Sequence, residues 1–170
     1  DIEYWLLEEA KLQRMPPEQE MSRQVAVVIG AGSGIGKSVC HRLLEEGSHV
    51  VCSDANSLAA EHTAEELVQK VGVGIGVAGN GLSACGPTLA QSADMTNRES
   101  VSRLFEDVVL AYGGMDILII TAGVFFPPDL SGRISDSQWR QTYDVNVIGP
   151  AMVAEEAHKV WLRQARPAKL

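Results

Sequence analysis

The chain has 170 residues, a formal net charge of -8 and a sequence pI near 4.9. Its length suits one domain, and the acidic balance disfavours nucleic acid, since binding phosphates requires clustered Lys and Arg. No run approaches the roughly 20 apolar residues of a membrane helix. The acidic segment 1–9 is unlike a signal peptide, so the sequence predicts a cytoplasmic protein with no membrane partner.

Three cysteines and four histidines form no metal-binding pattern. Cys40, Cys52 and Cys85 are an odd number without paired ligand spacing, and no histidine stands at a spacing that would complete a site. We therefore expect free, mostly buried thiols and no metal.

Residues 1–21 are predicted to be a linker helix that leads into a domain of residues 22–170. Apolar residues between Ile2 and Leu12 recur near one helical face, and two prolines end the pattern. The chain does not start with Met, so we expect that part of the protein precedes it.

The domain opens with alternating strands and helices. Residues 25–29 are a continuous apolar run rich in β-branched residues, which is typical of a strand buried on both faces of a parallel sheet. Residues 50–54 predict the second strand. This strand lies between two predicted helices. In the first helix the apolar residues repeat at helical spacing: Ile35, Val39, Leu43 and Leu44. In the second helix the inward positions are Ala60, Ala64, Leu67 and Val68.

The periodicity fails between Val71 and Ser92, where glycines form a flexible insertion in which the third strand must lie. Thr96 or Asn97 can cap the next helix, which ends at Gly113. Residues 117–120 predict the fourth strand.

Ser135 followed by Gln138 is a capping-box pattern that begins a long helix through Val147, with a kink or restart at Pro150. Apolar strands that alternate with helices indicate an α/β protein. We predict a Rossmann-like, doubly wound parallel sheet with helices on both faces.

A glycine-rich segment, GAGSGIG at residues 30–36, lies between the first strand and the first helix. There a pyrophosphate can meet backbone N–H groups and the positive end of a helix dipole. Gly30 permits the sharp exit from the strand, Gly34 lets the backbone approach the phosphates, and Gly36 allows the helix to pack close to the sheet. The alternative is a tight turn that binds nothing.

Asp54 ends the second strand, 18 residues after Gly36. A carboxylate there can accept both ribose hydroxyls of an adenosine and repels a 2'-phosphate, which favours NAD over NADP. Asp54 could instead be a solvated turn residue or helix cap. Asp94 could meet the adenine amino group, with a turn before Thr96 as the alternative.

Four motifs in order resemble the short-chain dehydrogenase/reductase family over about residues 22–170. They are the G-x-x-x-G-x-G pattern, the triplet at 94–96, Ala122-Gly123, and the segment DVNVIG at 144–149. The resemblance implies that the pyrophosphate is held by Gly30, Ser33, Gly34, Ile35 and Gly36, the adenosine ribose by Asp54, the adenine by Asp94 and Met95, and the nicotinamide ribose by the backbone of Ala122 and Gly123. It implies that Asn146 is the catalytic-site asparagine, which holds a water in the proton relay, and that the protein is a homo-oligomer.

Residues 4–12, the glycine-rich insertion and residues 122–129 look like the bifunctional rhamnulose-phosphate aldolase/short-chain dehydrogenases. That resemblance implies an aldolase domain fused upstream. It also implies that the dehydrogenase half oxidises lactaldehyde with NAD in deoxysugar breakdown.

The chain departs from the family pattern in three respects. Ile29 stands where Thr is usual and Thr121 where Asn is usual, so hydrogen bonds between neighbouring strands must change. The Tyr-x-x-x-Lys pair, in which Lys lowers the Tyr pKa for proton transfer, is missing. Four residues after Tyr143, for example, the chain has Val147 and not Lys. We expect the C-terminal part of the fold to be absent from this chain, and the chain to be inactive alone.

Two other functions remain open. The chain could be a dinucleotide-binding regulatory or non-catalytic module, in which Asn146 is only a capped, buried polar residue of its helix. It could also come from a sugar-nucleotide epimerase of related fold, although the motif around Asn146 fits the short dehydrogenases better.

Overall fold

The computed structural model describes residues 20–71 and 88–165. The strands are β1 (Val25–Ile29), β2 (His49–Asp54), β3 (Thr88–Ser92) and β4 (Ile117–Ile120). The helices are α1 (Gly34–Glu45), α2 (Ser57–Val71), α3 (Arg98–Tyr112), α4 (Asp136–Tyr143) and α5 (Gly149–Gln164), with a π-helical turn at Asp144–Ile148 between the last two. Residues 1–19 of the predicted linker helix and residues 72–87, which include Cys85, lie outside the described residues, whereas Glu20 and Met21 lie in a turn before β1.

The four strands form one parallel sheet in the order β3-β2-β1-β4. The central strand β1 pairs on both sides, with Val27 opposite Val51 of β2 and Leu118 of β4. The chain builds outward from β1 to β3 and then crosses back to place β4 on the other side of β1. Parallel α/β sheets bind ligands at such a reversal, in the crevice beyond the carboxyl ends of the strands.

Both faces of the sheet are covered, so the predicted doubly wound architecture is confirmed. On one face, β1 and β2 pack against buried side chains of α1 and α2, such as Cys40 and Leu67. On the other face they pack against α3 and α5, including Leu104 and Val153. The alternation along β1 explains this arrangement, because successive side chains of a strand point to opposite faces.

Strand β3 lies within the glycine-rich insertion, as predicted, and occupies its end just before Ala93. Two expectations about elements need correction. Val68 does not face the core, since it is 36% exposed. The helix predicted through Val147 is interrupted by the π-helical turn, and α5 begins at Gly149 with Pro150 in its first turn, as a restart there predicts.

Cys40 and Cys52 are free and fully buried, as expected of structural thiols. Contact with the Cys40 thiol and burial together raise the pKa of Cys52. Among the described residues, no helix is long and apolar enough to cross a membrane.

Candidate functional site

The predicted site residues follow the carboxyl ends of the strands. The loop at 30–33 follows β1, Asp54 ends β2, Asp94 follows β3, and Ala122 and Gly123 follow β4. Because these strands are parallel, the fold brings the segments to one edge of the sheet, at the reversal beside β1.

The conformation of the glycine segment supports the task predicted for each glycine. Gly30 has a φ of +94°, and a Cβ there would lie 2.5 Å from the backbone nitrogen of Ala122. A Cβ on Gly36 would lie 2.0 Å from the carbonyl oxygen of Gly30, so only glycine lets α1 approach the strand. Gly34 has a φ of +52° and faces open space, with no atom within 4 Å of a built Cβ. The first two positions are required by packing, whereas the last leaves room for a ligand.

The N-terminus of α1 is open to an anion. Ser33 occupies the N-cap position but makes no side-chain capping hydrogen bond, and the first turn carries no acidic residue. The exposed side chain of Ile35 lies in that turn. Uncapped N–H groups and the positive end of the helix dipole bind phosphate without a basic side chain.

Two threonines that the sequence did not identify as site residues hold the glycine segment from its two sides. The fully buried hydroxyl of Thr63, on α2, donates to the carbonyl oxygen of Ala31 at 3.0 Å. The hydroxyl of Thr121 lies 3.1 Å from the carbonyl oxygen of Ile29 and 3.2 Å from that of Gly30. Thr121 thus ties β4 to the start of the glycine segment.

The Asp54 carboxylate is held at both oxygens. Oδ2 accepts the backbone N–H of Gly32 at 2.9 Å, and Oδ1 accepts the backbone N–H of Asn56 at 3.0 Å. The second contact is the one expected of a turn residue, but the first reaches 22 residues back to the glycine segment. Each carboxylate oxygen has two lone pairs, so the half-buried group retains acceptor capacity for a ribose hydroxyl.

The residues assigned to adenine divide between surface and core. Asp94 is exposed, and its Oδ1 accepts both the backbone N–H and the hydroxyl of Thr96, as the turn alternative predicts. The side chain of Met95 is 4% exposed and belongs to the core. A Cβ on Gly149 would lie 2.9 Å from its Cγ, so contact between Met95 and a cofactor is left to its backbone.

Asn146 lies in the π-helical turn and joins it to the loop after β4. Its Oδ1 accepts the backbone N–H of Val124 at 2.9 Å, and its Nδ2 donates to the carbonyl oxygen of the same residue at 2.8 Å. A Cβ on Gly123 would approach the Asn146 Oδ1 to 3.3 Å. Asn146 is exposed rather than buried, which corrects one feature of the non-catalytic alternative.

Together these groups offer backbone N–H donors at a helix N-terminus and, one strand away, a positioned carboxylate. The first suits a pyrophosphate and the second a ribose diol, so the residues present fit a dinucleotide. Among the residues that the structure describes, no group of three or more His, Cys, Asp or Glu is arranged to hold a metal ion.

The fold and this edge of the sheet define a Rossmann-type nucleotide-binding protein. A model of the short chain dehydrogenase family matches residues 24–167, and the chain belongs to that family. It is 36% identical over 165 residues to an uncharacterised oxidoreductase, YuxG, of Bacillus subtilis, covering 97% of this chain and 22% of that protein.

Solved structures agree with the fold. Sorbitol-6-phosphate 2-dehydrogenase SrlD of Erwinia amylovora superposes with a TM-score of 0.69 at 26% identity, over 82% of this chain and 49% of that one. The 3-ketoacyl-(acyl-carrier-protein) reductase of Brucella melitensis, complexed with NADH, gives a TM-score of 0.70 at 24% identity, over 84% of this chain and 52% of that one. The chain therefore spans about half the length of these two proteins.

Proposed function

We propose that this chain is the nucleotide-binding part of an NAD-dependent dehydrogenase. The observation that carries the proposal is the pairing of an uncapped α1 N-terminus with an Asp54 carboxylate fastened to the same glycine segment. NAD supplies the hydride chemistry when bound, and the protein orients it. Residues 30–36 would hold the pyrophosphate and Asp54 the adenosine ribose.

The proposal includes the other predicted contacts. Asp94 and the Met95 backbone would flank the adenine, since they follow β3 at the same edge. Ala122 and Gly123 would contact the nicotinamide ribose, and their loop is already held by Asn146. Asn146 would keep this loop in place and hold a water of the proton relay.

Calorimetry with NAD and NADP on the full chain tests the proposal. We expect NAD to bind more tightly, because the ionised Asp54 repels a 2'-phosphate, and Asp54→Ala to reduce the difference. Glu61→Ala is the control, since Glu61 is an exposed carboxylate of α2. Tighter binding of NADP, or no binding of either dinucleotide, would refute the proposal.

The parent protein is proposed to be a dehydrogenase that oxidises lactaldehyde and carries an aldolase domain upstream of a linker at residues 1–21. Support comes from the resemblance of residues 122–129 and from YuxG, of which this chain covers only 22%. The chain alone should give no NADH with lactaldehyde, since it lacks the Tyr-x-x-x-Lys pair. An extended form that carries the pair should be active, while inactivity of both would remove the substrate assignment.

A homo-oligomer in a reducing cytoplasm completes the proposal. Side chains on α4, the π-helical turn and α5 leave apolar surface exposed: Trp139, Tyr143, Val147, Ile148 and Leu162. Covering such surface by further protein is favourable. The free, buried thiols of Cys40 and Cys52 suit a reducing compartment.

A second function is a non-catalytic dinucleotide-binding module, which the same α1 N-terminus and Asp54 carboxylate would serve. Both functions predict NAD binding, so the coding sequence after Leu170 separates them. A Tyr-x-x-x-Lys motif there supports the enzyme, and its absence supports the module.

A further inference from the structure

We infer that Gly32 is a specificity-determining position that acts through Asp54. This inference rests on the proposed NAD-binding function and assigns to Gly32 a role separate from that of the three motif glycines. The backbone N–H of Gly32 donates to Asp54 Oδ2 at 2.9 Å. With the Asn56 N–H on Oδ1, this bond restricts the carboxylate to one orientation.

Glycine is required at position 32 because neighbouring atoms leave no room for a Cβ, and not because of its backbone conformation. Its φ lies outside the left-handed region that favours glycine. A Cβ built on it would lie 2.7 Å from the Ala59 Cβ and 2.8 Å from Asp54 Oδ2. Real Cβ atoms do not approach other atoms so closely, so any larger residue must displace both of these neighbours.

Of the two neighbours, Asp54 can move further, whereas Ala59 can yield only by a small shift of the helix against the glycine segment. Ala59 lies in the first part of α2, which is fastened by the fully buried Ala60 and by the bond from Thr63 to the glycine segment. The Asp54 carboxylate is half-buried and turns about two side-chain torsions. A Cβ at position 32 therefore rotates the carboxylate away from the Gly32 N–H.

Rotation would change the preference between the two dinucleotides in a defined direction. The ribose diol loses an acceptor that was already oriented for it, so NAD binding weakens. At the same time the negative charge is no longer held beside the Gly32 N–H, where the diol would bind. A 2'-phosphate then meets less repulsion there.

The test is a double-mutant cycle on the full chain, with calorimetric dissociation constants for NAD and NADP. Gly32→Ala, Asp54→Ala and the double variant are compared with the unaltered protein. We expect Gly32→Ala to weaken NAD binding by about tenfold or more, since a hydrogen bond to a charged group is lost. The same variant should weaken NADP binding less. In the Asp54→Ala background, Gly32→Ala should leave the ratio of the two constants nearly unchanged.

Gly113→Ala is the matched control. Gly113 caps α3 at the opposite edge of the sheet, with open space for a Cβ, so this variant should lose stability and keep the preference. If Gly32→Ala does not fold, the cycle is run in an Ala59→Gly background, which removes one of the two close contacts and keeps the one to Asp54.

The experiment distinguishes failure of the proposed function from failure of the inference about Gly32. If the unaltered chain binds neither dinucleotide, the proposed function and this inference fall together. If it prefers NAD and Gly32→Ala prefers NAD equally, only the inference about Gly32 falls. It also falls if Gly32→Ala changes the ratio equally with and without Asp54, since the effect would then come from the loop itself.

Discussion

The hydroxyl of Thr63 in α2 donates a hydrogen bond to the carbonyl oxygen of Ala31 in the glycine segment, 3.0 Å away and 32 residues earlier in the chain. The same hydroxyl lies 3.1 Å from the carbonyl oxygen of Ala59, one helical turn back. Thr63 is fully buried, so water cannot replace this contact. Helix α2 thereby fixes the position of the glycine segment, which would bind the pyrophosphate.

Thr63→Val should destabilise the protein and weaken dinucleotide binding. Valine keeps the shape of threonine but leaves the buried carbonyl oxygen of Ala31 unpaired, at a cost of about 1–3 kcal/mol. Urea unfolding measures the loss, and calorimetry with NAD measures the effect on the loop. Thr63→Ser, which retains the hydroxyl, is the control. Unchanged stability in Thr63→Val would contradict the anchoring role.

Gly34→Val should abolish NAD binding while a folded domain remains. The added side chain would enter open space and not the protein interior, where a pyrophosphate would approach the loop. Valine at a φ of +52° also adds backbone strain of about 1–2 kcal/mol. Circular dichroism checks the fold and calorimetry the binding.

Gly34→Asn separates the two effects, because Asn tolerates positive φ. It should fold with little loss of stability and still bind NAD more weakly. Full affinity in Gly34→Asn and Gly34→Val would indicate that the segment is only a turn.

Asn146→Asp should loosen the loop after β4. The carboxylate can still accept the Val124 N–H but cannot donate to the Val124 carbonyl oxygen, and the two oxygens then repel each other. We expect a loss of about 1 kcal/mol, seen as faster hydrogen exchange of the Val124 amide.

Acid should reverse this effect. At low pH the introduced carboxyl is protonated and can again donate to the Val124 carbonyl oxygen. Protection of the Val124 amide should therefore be recovered in acid and lost as the carboxyl ionises. Protection independent of pH would contradict the proposed contact.

Glu156→Gln should remove an acid-sensitive contribution to stability. Glu156 is 6% exposed on α5 and pairs with Lys159 at 2.7 Å and with Arg98 of α3 at 2.8 Å. These two cations, Lys159 first, lower the pKa of Glu156 below its ordinary value of 4.5. The ionised group therefore stabilises the fold at neutral pH, and the contribution disappears as the pH falls through the lowered pKa.

Thermal unfolding at a series of pH values tests this. The melting temperatures of the unaltered chain and Glu156→Gln should differ at pH 7 and converge in acid. Glu155→Gln is the control, because Glu155 pairs with the same arginine from a more exposed position. Its effect at neutral pH should be smaller. A constant difference between Glu156→Gln and the unaltered chain at every pH would contradict the ion-pair explanation.

Local patterns in the sequence were sufficient for most of the fold. Continuous apolar runs predicted β1, β2 and β4, and the capping box at Ser135 predicted the start of α4. These patterns could be recognised because each involves only residues that are close together in the sequence. Strand β3 was only placed within a glycine-rich stretch, since Thr88–Ser92 lacks both alternation and a continuous apolar run.

By itself, the sequence determined the order of the elements, the glycine segment and the carboxylate at the end of β2, because their residue types and spacing are local properties. Only the tertiary structure decided which groups hold them. The bonds from Thr63 to Ala31, from Gly32 to Asp54 and from Thr121 to the end of β1 join residues 22–92 positions apart. No periodicity encodes such pairs, because they exist only once parallel strands and the helices on them bring distant segments to one edge of the sheet.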